Sequence, residues 1–380
     1  MFKRLLCLGF TLALLLGAAV PVRAAGPEIA APSAVLMDAA TGKVLYEKND
    51  REKLPPASVT KVMTLLLVLE ALEQGRIGWD DEIAASAAAA AKGGSQVYLE
   101  ENEQMPLRDM LKSVVVASAN DCATALAEHV AGSESAFVEL MNARAAELGM
   151  ADTHFVNCTG LDDEPDAAEH LTTAYDIALM SRELLKHDEI RQYTTIWMDT
   201  VRDGRFGLAN TNKLVRFYNG TTGLKTGYTS QAGYCVSASA ERDGMELIAV
   251  VLHGATSTDR FESAKALLDY GFANWALVTP QADAIPAVPV TLGTKTAVTP
   301  VPENTQPLLA DKAKAASVTT EVTVDEAAAA PVAEGQRLGT LTVRAGDETL
   351  AEIPLVAPEA VPKLTWLQLW TQLLRAVCMG

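Results

Sequence analysis

Residues 55–72 read PPASVTKVMTLLLVLEAL, and the reading of this stretch organises the rest of the chain. Pro55 and Pro56 cannot donate to a strand ladder, so they stop the extended segment before them. From Ser58 the pattern turns helical, with Val62, Leu65, Leu66 and Leu69 on the side expected to be buried. Upstream, residues 33–48 carry SAVLMDA and KVLYEK around Thr41-Gly42, a hairpin pattern. Downstream, helical patterns recur at 107–116, 122–130 (closed by Gly132), 135–148 and 173–186, with a break at 117–121. Residues 83–92 are alanine-rich. The character then changes. Residues 233–241 and 245–253 are two β-rich runs joined by Asp243-Gly244, a strong hairpin turn signal, and 263–272 reads as a helix packing back. Strands at both ends of a helical middle imply an antiparallel sheet with helices on it, in a mixed α/β domain.

Past Trp275 the text shifts to Pro, Thr, Val and Ala. Short runs at 287–290, 318–324, 337–343 and 349–355 are divided by Pro, Gly and Asp, the pattern of a small all-β domain. The 380 residues, 49% hydrophobic and 21% charged, have a globular composition and length for about two domains. With Lys+Arg 31 against Asp+Glu 48, the formal charge is -17. That balance excludes nucleic acid as a partner, because a phosphate backbone demands clustered cations.

The two ends differ from the average. Lys3 and Arg4, the apolar run 5–20, Pro21 and Val22-Arg23-Ala24 read as a secretory signal cut after Ala24 or Ala25. Losing Lys3, Arg4 and Arg23 with residues 1–24 takes the formal charge from -17 to -20. At the other end Trp366, Leu369, Trp370, Leu373, Leu374 and Val377 form one apolar helical stripe, with Thr365, Gln368, Thr371, Gln372 and Arg375 opposite. Tryptophans suit a membrane interface, so the expected segment is a helix lying on a membrane surface; docking on its own domain is the plainer alternative. The expected division is a signal at 1–24, a catalytic domain at 25–276, a β-rich domain at 277–357 and the amphipathic end at 358–380. Cys122, Cys158, Cys235 and Cys378 are scattered, and sequence alone pairs none of them. The five histidines show no metal-ligand spacing, so no metal and no cofactor is expected.

Three short motifs carry chemistry. Ser58-Val59-Thr60-Lys61 is S-x-x-K, Ser118-Ala119-Asn120 is S-x-N, and Lys225-Thr226-Gly227 is K-T-G. A lysine three residues after a serine at a helix start lies on the same face, within reach of its hydroxyl. A serine hydroxyl needs a base, and lysine serves as one only if burial or a nearby cation lowers its pKa; Lys225 is the expected cation. S-x-N falls in the break between two helices, where side chains can enter a cleft. K-T-G precedes the hairpin, so it is expected at a strand start, with Gly227 admitting a substrate backbone. Singly, each motif has an ordinary explanation: a helix start, a helix cap, a turn. Together and in order they form the S-x-x-K, S-x-N, K-T-G set of penicillin-binding proteins and β-lactamases.

With PPASVTKVMT, VVVASANDCATALAEHVAG, FVNCTGLDD, TTGLKTGYTSQAGYC, LIAVVLHGA and FESAKALLDYGF, the chain resembles D-alanyl-D-alanine carboxypeptidases of the low-molecular-mass penicillin-binding protein family. The resemblance implies a β-lactamase/transpeptidase-like domain, then a small β-domain and a terminal amphipathic helix, in a protein exported to the outer face of the cytoplasmic membrane. It implies a serine acyl-transfer cycle on peptidoglycan stem peptides ending in D-Ala-D-Ala, with β-lactams as inhibitors. Ser58 would attack, Lys61 would take its proton, and the backbone N–H groups of Ser58 and Tyr228 would hold the oxyanion. Ser118 would pass a proton to the departing D-alanine, and Asn120 would hold the substrate amide and Lys61. Lys225, Thr226 and Arg260 would engage the terminal carboxylate. The chain departs from the family at Thr221-Thr222-Gly223, where Val-Asp-Gly is common, and at Tyr228, where some members carry His. A β-lactamase is the nearest rival, but it would need a deacylating Glu and usually S-D-N, and Ala119 stands in place of that Asp. A catalytically silent cell-wall-binding scaffold is the other.

Overall fold

The computed structural model describes residues 26–163, 166–282 and 284–379; the expected signal lies outside them. Five strands build the central sheet: β1 (Ser33–Asp38), β2 (Val44–Lys48), β3 (Thr221–Thr229), β4 (Gly233–Arg242) and β5 (Met245–Gly254). Their spatial order is β2-β1-β5-β4-β3, and every pair is antiparallel. The chain's first hairpin therefore docks on the last strand of its second, and β3 is left at an edge. Asp243 and Gly244 both have positive φ (52° and 77°), the backbone of the tight turn that their sequence predicts.

Both faces of the sheet are covered. On β1, Val35 and Met37 join one core while Ala34 and Leu36 join the other; on β5, Ile248 and Val250 alternate in the same way with Leu247 and Ala249. The larger core is closed by α1 (Lys61–Glu73), α2 (Leu107–Val116), α3 (Asn120–Ala131), α4 (Glu134–Glu147) and α5 (Ala174–Leu184). The smaller is closed by α6 (Ser257–Asn274). The helix 263–272 anticipated from the sequence thus starts six residues earlier, at a Thr256 cap whose hydroxyl accepts from Asp259 N–H. Residues 198–201 and 206–209 form a small hairpin that the sequence pattern did not signal.

The expectation of an amphipathic α1 is corrected. Residues 61–69 are all buried, because α3, α4, α5 and the sheet surround the helix. A helix apolar on every side is an axis for the domain, not a lid on it.

Beyond Trp275 a four-stranded sheet (301–302, 348–356, 337–345, 318–324) and smaller pairings form the β-domain. Val361 lies in one of its cores, and Val332–Val361 and Gly293–Lys363 bridges tie residues 361–363 to it. Helix α7 (Trp366–Met379) follows, with Trp366 86% and Trp370 60% exposed. The alternative of a helix docked through its stripe on its own domain is not what these two side chains do. Among the described residues no helix is long and apolar enough to cross a membrane.

The all-round burial of α1 is testable at Leu67, which an amphipathic helix would turn to solvent and which is 6% exposed. Leu67→Ala should lower unfolding free energy by about 2–4 kcal/mol in denaturant titration; a loss under about 0.5 kcal/mol would mean an exposed position.

Candidate active site

The three motifs meet where the N-terminal end of α1, the α2–α3 break and β3 converge. Residues 57–60 make a single 3-10 turn that runs into α1, so Ser58 sits just before the helix and Lys61 opens it. Ser58 is half-buried and Lys61 fully buried. Lys61 Nζ lies 3.0 Å from Ser58 Oγ and donates to the Thr159 carbonyl at 2.8 Å. Burial pushes the Lys61 pKa down to about 7, partly opposed by the Asp121 carboxylate. Of the two expected causes, burial or a nearby cation, burial dominates; Lys225, the expected cation, is also fully buried and is itself held well below the usual lysine range by burial, then by Lys61 and Arg260.

Ser118 occupies the break between α2 and α3 in a left-handed conformation, φ 63°. Its hydroxyl, buried, has no hydrogen-bond partner among the described residues, and neither has Asn120 Oδ1. Asn120 Nδ2 donates to the Gly93 carbonyl at 2.7 Å. The expected hold of Asn120 on Lys61 is therefore absent: the amine takes Thr159 instead. Gly94 (φ 73°) allows the 93–95 loop to come this close, since a Cβ there would stand 2.7 Å from Asn120 Nδ2. Next to Asn120, the buried Asp121 carboxylate accepts from the N–H groups of Val97, Leu99 and Cys122 and so ties the 95–99 segment to α3.

K-T-G lies inside β3, not at its start, because pairing with β4 already runs from Thr221. Lys225 Nζ donates to the Thr226 carbonyl (3.0 Å), and Thr226 Oγ1 donates to Thr211 Oγ1 (2.7 Å). Thr211 N–H in turn donates to the Val116 carbonyl at the end of α2, which links this strand to the S-x-N break. Gly227 was expected to admit a substrate. The close approach it permits is to the chain's own serine turn: a Cβ there would stand 2.9 Å from Ser58 N and 2.8 Å from the Pro56 carbonyl. Arg260, on α6, donates to the Gly227 carbonyl (2.9 Å) and the Cys235 carbonyl (3.3 Å). Burial lowers its pKa only to about 10, so it keeps its charge. The Tyr228 ring, 55% exposed, packs on Tyr234 with centroids 4.3 Å apart.

Thus Ser58, Lys61, Ser118, Asn120, Lys225, Thr226, Gly227 and Arg260 are drawn into one locality, and Tyr228 follows Gly227 directly on β3. Thr159, Thr211 and Asp121 were missed. Thr159 and Asp121 had a textual hint, inside the family-like FVNCTGLDD and VVVASANDCATALAEHVAG stretches, and Thr211 had none. Cys122, Cys158 and Cys235 are free and buried, with pKa values raised by burial, so they are inert packing thiols. Among the described residues no group of three or more His, Cys, Asp or Glu is placed to hold a metal ion.

Comparison with known proteins decides the family. The D-alanyl-D-alanine carboxypeptidase family matches residues 20–256, and the C-terminal domain of penicillin-binding protein 5 matches residues 278–363. The chain belongs to the D-alanyl-D-alanine carboxypeptidase family. It is 41% identical to the D-alanyl-D-alanine carboxypeptidase DacF of Bacillus subtilis over 339 residues, 88% of this chain and 86% of that relative. Among solved structures it resembles penicillin-binding protein 5 from Haemophilus influenzae, with TM-score 0.78 and 30% identity over 89% of this chain and 99% of the other. Penicillin-binding protein D2 from Listeria monocytogenes in its ampicillin-bound form matches at TM-score 0.59 and 33% identity, covering 65% of this chain and 100% of that one. These matches identify the enzyme class, a serine hydrolase acting as a D-Ala-D-Ala carboxypeptidase. They favour neither the β-lactamase nor the silent scaffold.

The serine turn makes its own prediction at Gly160, where φ is 83° and a Cβ would stand 1.8 Å from the Ala57 carbonyl oxygen. Gly160→Ala should cost at least about 3 kcal/mol in thermal unfolding, from the left-handed backbone and the clash together. An unchanged melting temperature would contradict this packing.

Proposed function

We propose that Ser58 is the acylated residue of the carboxypeptidase cycle, Lys61 its base, and K-T-G with Arg260 its carboxylate grip. The single observation that carries this is a lysine amine, buried and held near neutrality, 3.0 Å from a half-buried serine hydroxyl. With one N–H bound to Thr159, the unprotonated amine can aim its lone pair at Ser58. Ser58 Oγ bonds to the penultimate D-alanine carbonyl carbon while its proton passes to Lys61. The oxyanion forms against the N–H groups of Ser58 and Tyr228. The C–N bond to the terminal D-alanine then breaks, and Ser118 delivers the proton to the departing amine. Water cleaves the acyl-serine ester and restores the hydroxyl. Ser118 Oγ and Asn120 Oδ1, buried without partners, suit groups that meet a substrate amide. As an edge strand, β3 has one row of backbone groups outside the ladder, and these suit an extended stem peptide. Arg260, which keeps its charge, supplies the positive field for the peptide's carboxylate, and Lys225 beside it offers N–H donors. A β-lactam would follow the same path and stay on Ser58.

Labelling with a fluorescent penicillin tests this reading. Wild type should form a covalent adduct that Ser58→Ala lacks. Its acylation rate should rise with pH and level off above about 7, because only the unprotonated Lys61 accepts a proton. Adduct formation in Ser58→Ala, or a rate falling as pH rises from 5 to 8, would refute the assignment.

The two ends fit an exported enzyme working in the cell wall space. The α7 helix, with Trp366, Leu367, Trp370, Leu373 and Leu374 exposed along it, suits attachment to the outer face of the cytoplasmic membrane. A chain ending at Leu364 keeps the β-domain's Val361 and Lys363 contacts. It should lose binding to anionic phospholipid vesicles in flotation while hydrolysing diacyl-D-Ala-D-Ala at the full-length rate. Equal flotation of both chains would remove the helix from this role.

A further inference from the structure

The peptide plane joining Ala57 to Ser58 is the one whose N–H is assigned to the oxyanion, so its tilt matters to catalysis. Because a trans peptide is planar, fixing the Ala57 carbonyl fixes the direction of the Ser58 N–H on the other side of the same plane. Ala57 has φ 49°, so local backbone preference does not set this tilt. A chain of hydrogen bonds does. The Ala57 carbonyl accepts from Thr60 Oγ1 at 2.8 Å, and Thr60 Oγ1 lies 2.8 Å from His170 Nε2. The other ring nitrogen, Nδ1, accepts from Val156 N–H at 3.2 Å. With Nδ1 occupied as an acceptor, the ring's one proton sits on Nε2 and is donated to Thr60, which leaves the threonine proton for Ala57. His170 is buried, with its ring edge to face with Phe155 at 5.6 Å. Desolvation, with His154 and Lys61 adding to it, lowers its pKa to about 4, so the ring is neutral at working pH.

We propose that His170 and Thr60 are positioning residues that set the Ala57–Ser58 peptide plane, and with it the oxyanion-binding N–H of Ser58. Neither side chain touches substrate; they act through the backbone. Two glycines complete the grip. Gly160 packs against the Ala57 carbonyl side and Gly227 against Ser58 N, each where a Cβ would collide. The inference rests on the reading of Ser58 as the acylated residue.

The test compares acylation by a fluorescent penicillin, resolved into the dissociation constant of the initial complex and the first-order acylation rate. An amide replacing histidine with Gln puts a donor near the Nε2 position, whereas Asn puts an acceptor near Nδ1 and no donor toward Thr60. His170→Asn and Thr60→Val should each slow acylation about 10–100-fold with the dissociation constant within about 2-fold of wild type. His170→Gln and Thr60→Ser should stay within about 3-fold of wild type. The His170→Asn/Thr60→Val double variant should be no slower than the slower single, since both break one chain. Multiplicative losses, equal losses in the Asn and Gln variants, or a wild-type rate in His170→Asn would overturn the relay. Failure of wild-type protein to acylate on Ser58 would instead overturn the parent reading, so the two failures are distinct. Melting temperatures of all variants separate positioning from unfolding: a rate loss that tracks melting temperature, with Thr60→Ser as slow as Thr60→Val, counts against the proposal.

Discussion

A lysine amine without water around it is the constraint on which this molecule depends. Charging Lys61 in a dry interior is unfavourable, and desolvation, against an opposing pull from Asp121, brings its pKa down from 10.5 to about 7. The environment that does this has to be built all the way round, and the building material is the fold itself. Helix α1 runs through the centre of the larger core, so its first residue is sealed by α3, by the 157–161 loop and by β3. The Thr159 carbonyl gives the amine one partner, enough to orient it but not to charge it. Asp121 lies near enough to matter, yet its oxygens are engaged by three backbone N–H groups, which limits its pull on the lysine.

From that point the rest of the site follows as a matter of close approach. The serine turn has to meet β3 without a side chain between them, and Gly227 supplies the gap. The 157–161 loop has to pass under the Ala57 carbonyl, and Gly160 supplies that one. Asn157 winds this loop on itself, its Oδ1 accepting from the N–H groups of Thr159 and Gly160 and its Nδ2 donating to the Leu161 carbonyl. The carbonyl that holds Lys61 is thus presented by a small, internally braced loop. Thr211 does the equivalent service on the opposite wall, tying β3 to the end of α2.

Much of this was legible in the text of the chain, and the boundary of legibility is physical. The helix at 107–116 declares itself by its apolar pattern, and the one read at 122–130, which runs from Asn120 to Ala131, by Gly132, whose φ of 83° closes it. The Asp243-Gly244 turn fixes the register of β4 and β5 from two residues. The motif residues could be named because their spacing is local. What stayed hidden is tertiary. That α1 is apolar all round was visible in VMTLLLVLEAL, but a periodicity argument looks for a face and finds one. Thr159, Thr211 and His170 lie 98, 15 and 110 residues from the groups they hold, and nothing in a threonine or a histidine announces a partner that far away. The early start of α6 was readable in Thr256 and Asp259, a cap and its first-turn acid, and was missed because the hydrophobic pattern begins later.

Ser118 Oγ and Asn120 Oδ1 reach the site with hydrogen-bonding capacity unspent, and Ser118 does so from a left-handed backbone. Both features cost stability in the resting protein, through desolvation without a partner and through torsional strain. The disadvantage is met once, when the chain folds, rather than at each turnover. Under the roles proposed for Ser118 and Asn120, a substrate amide entering the cleft would find a donor and an acceptor that need not first release a protein partner. It follows that selection for thermal stability alone would drift toward apolar or differently bonded residues at these two positions. On that proposed reading, the enzyme such selection produced would be harder to melt and slower to turn over.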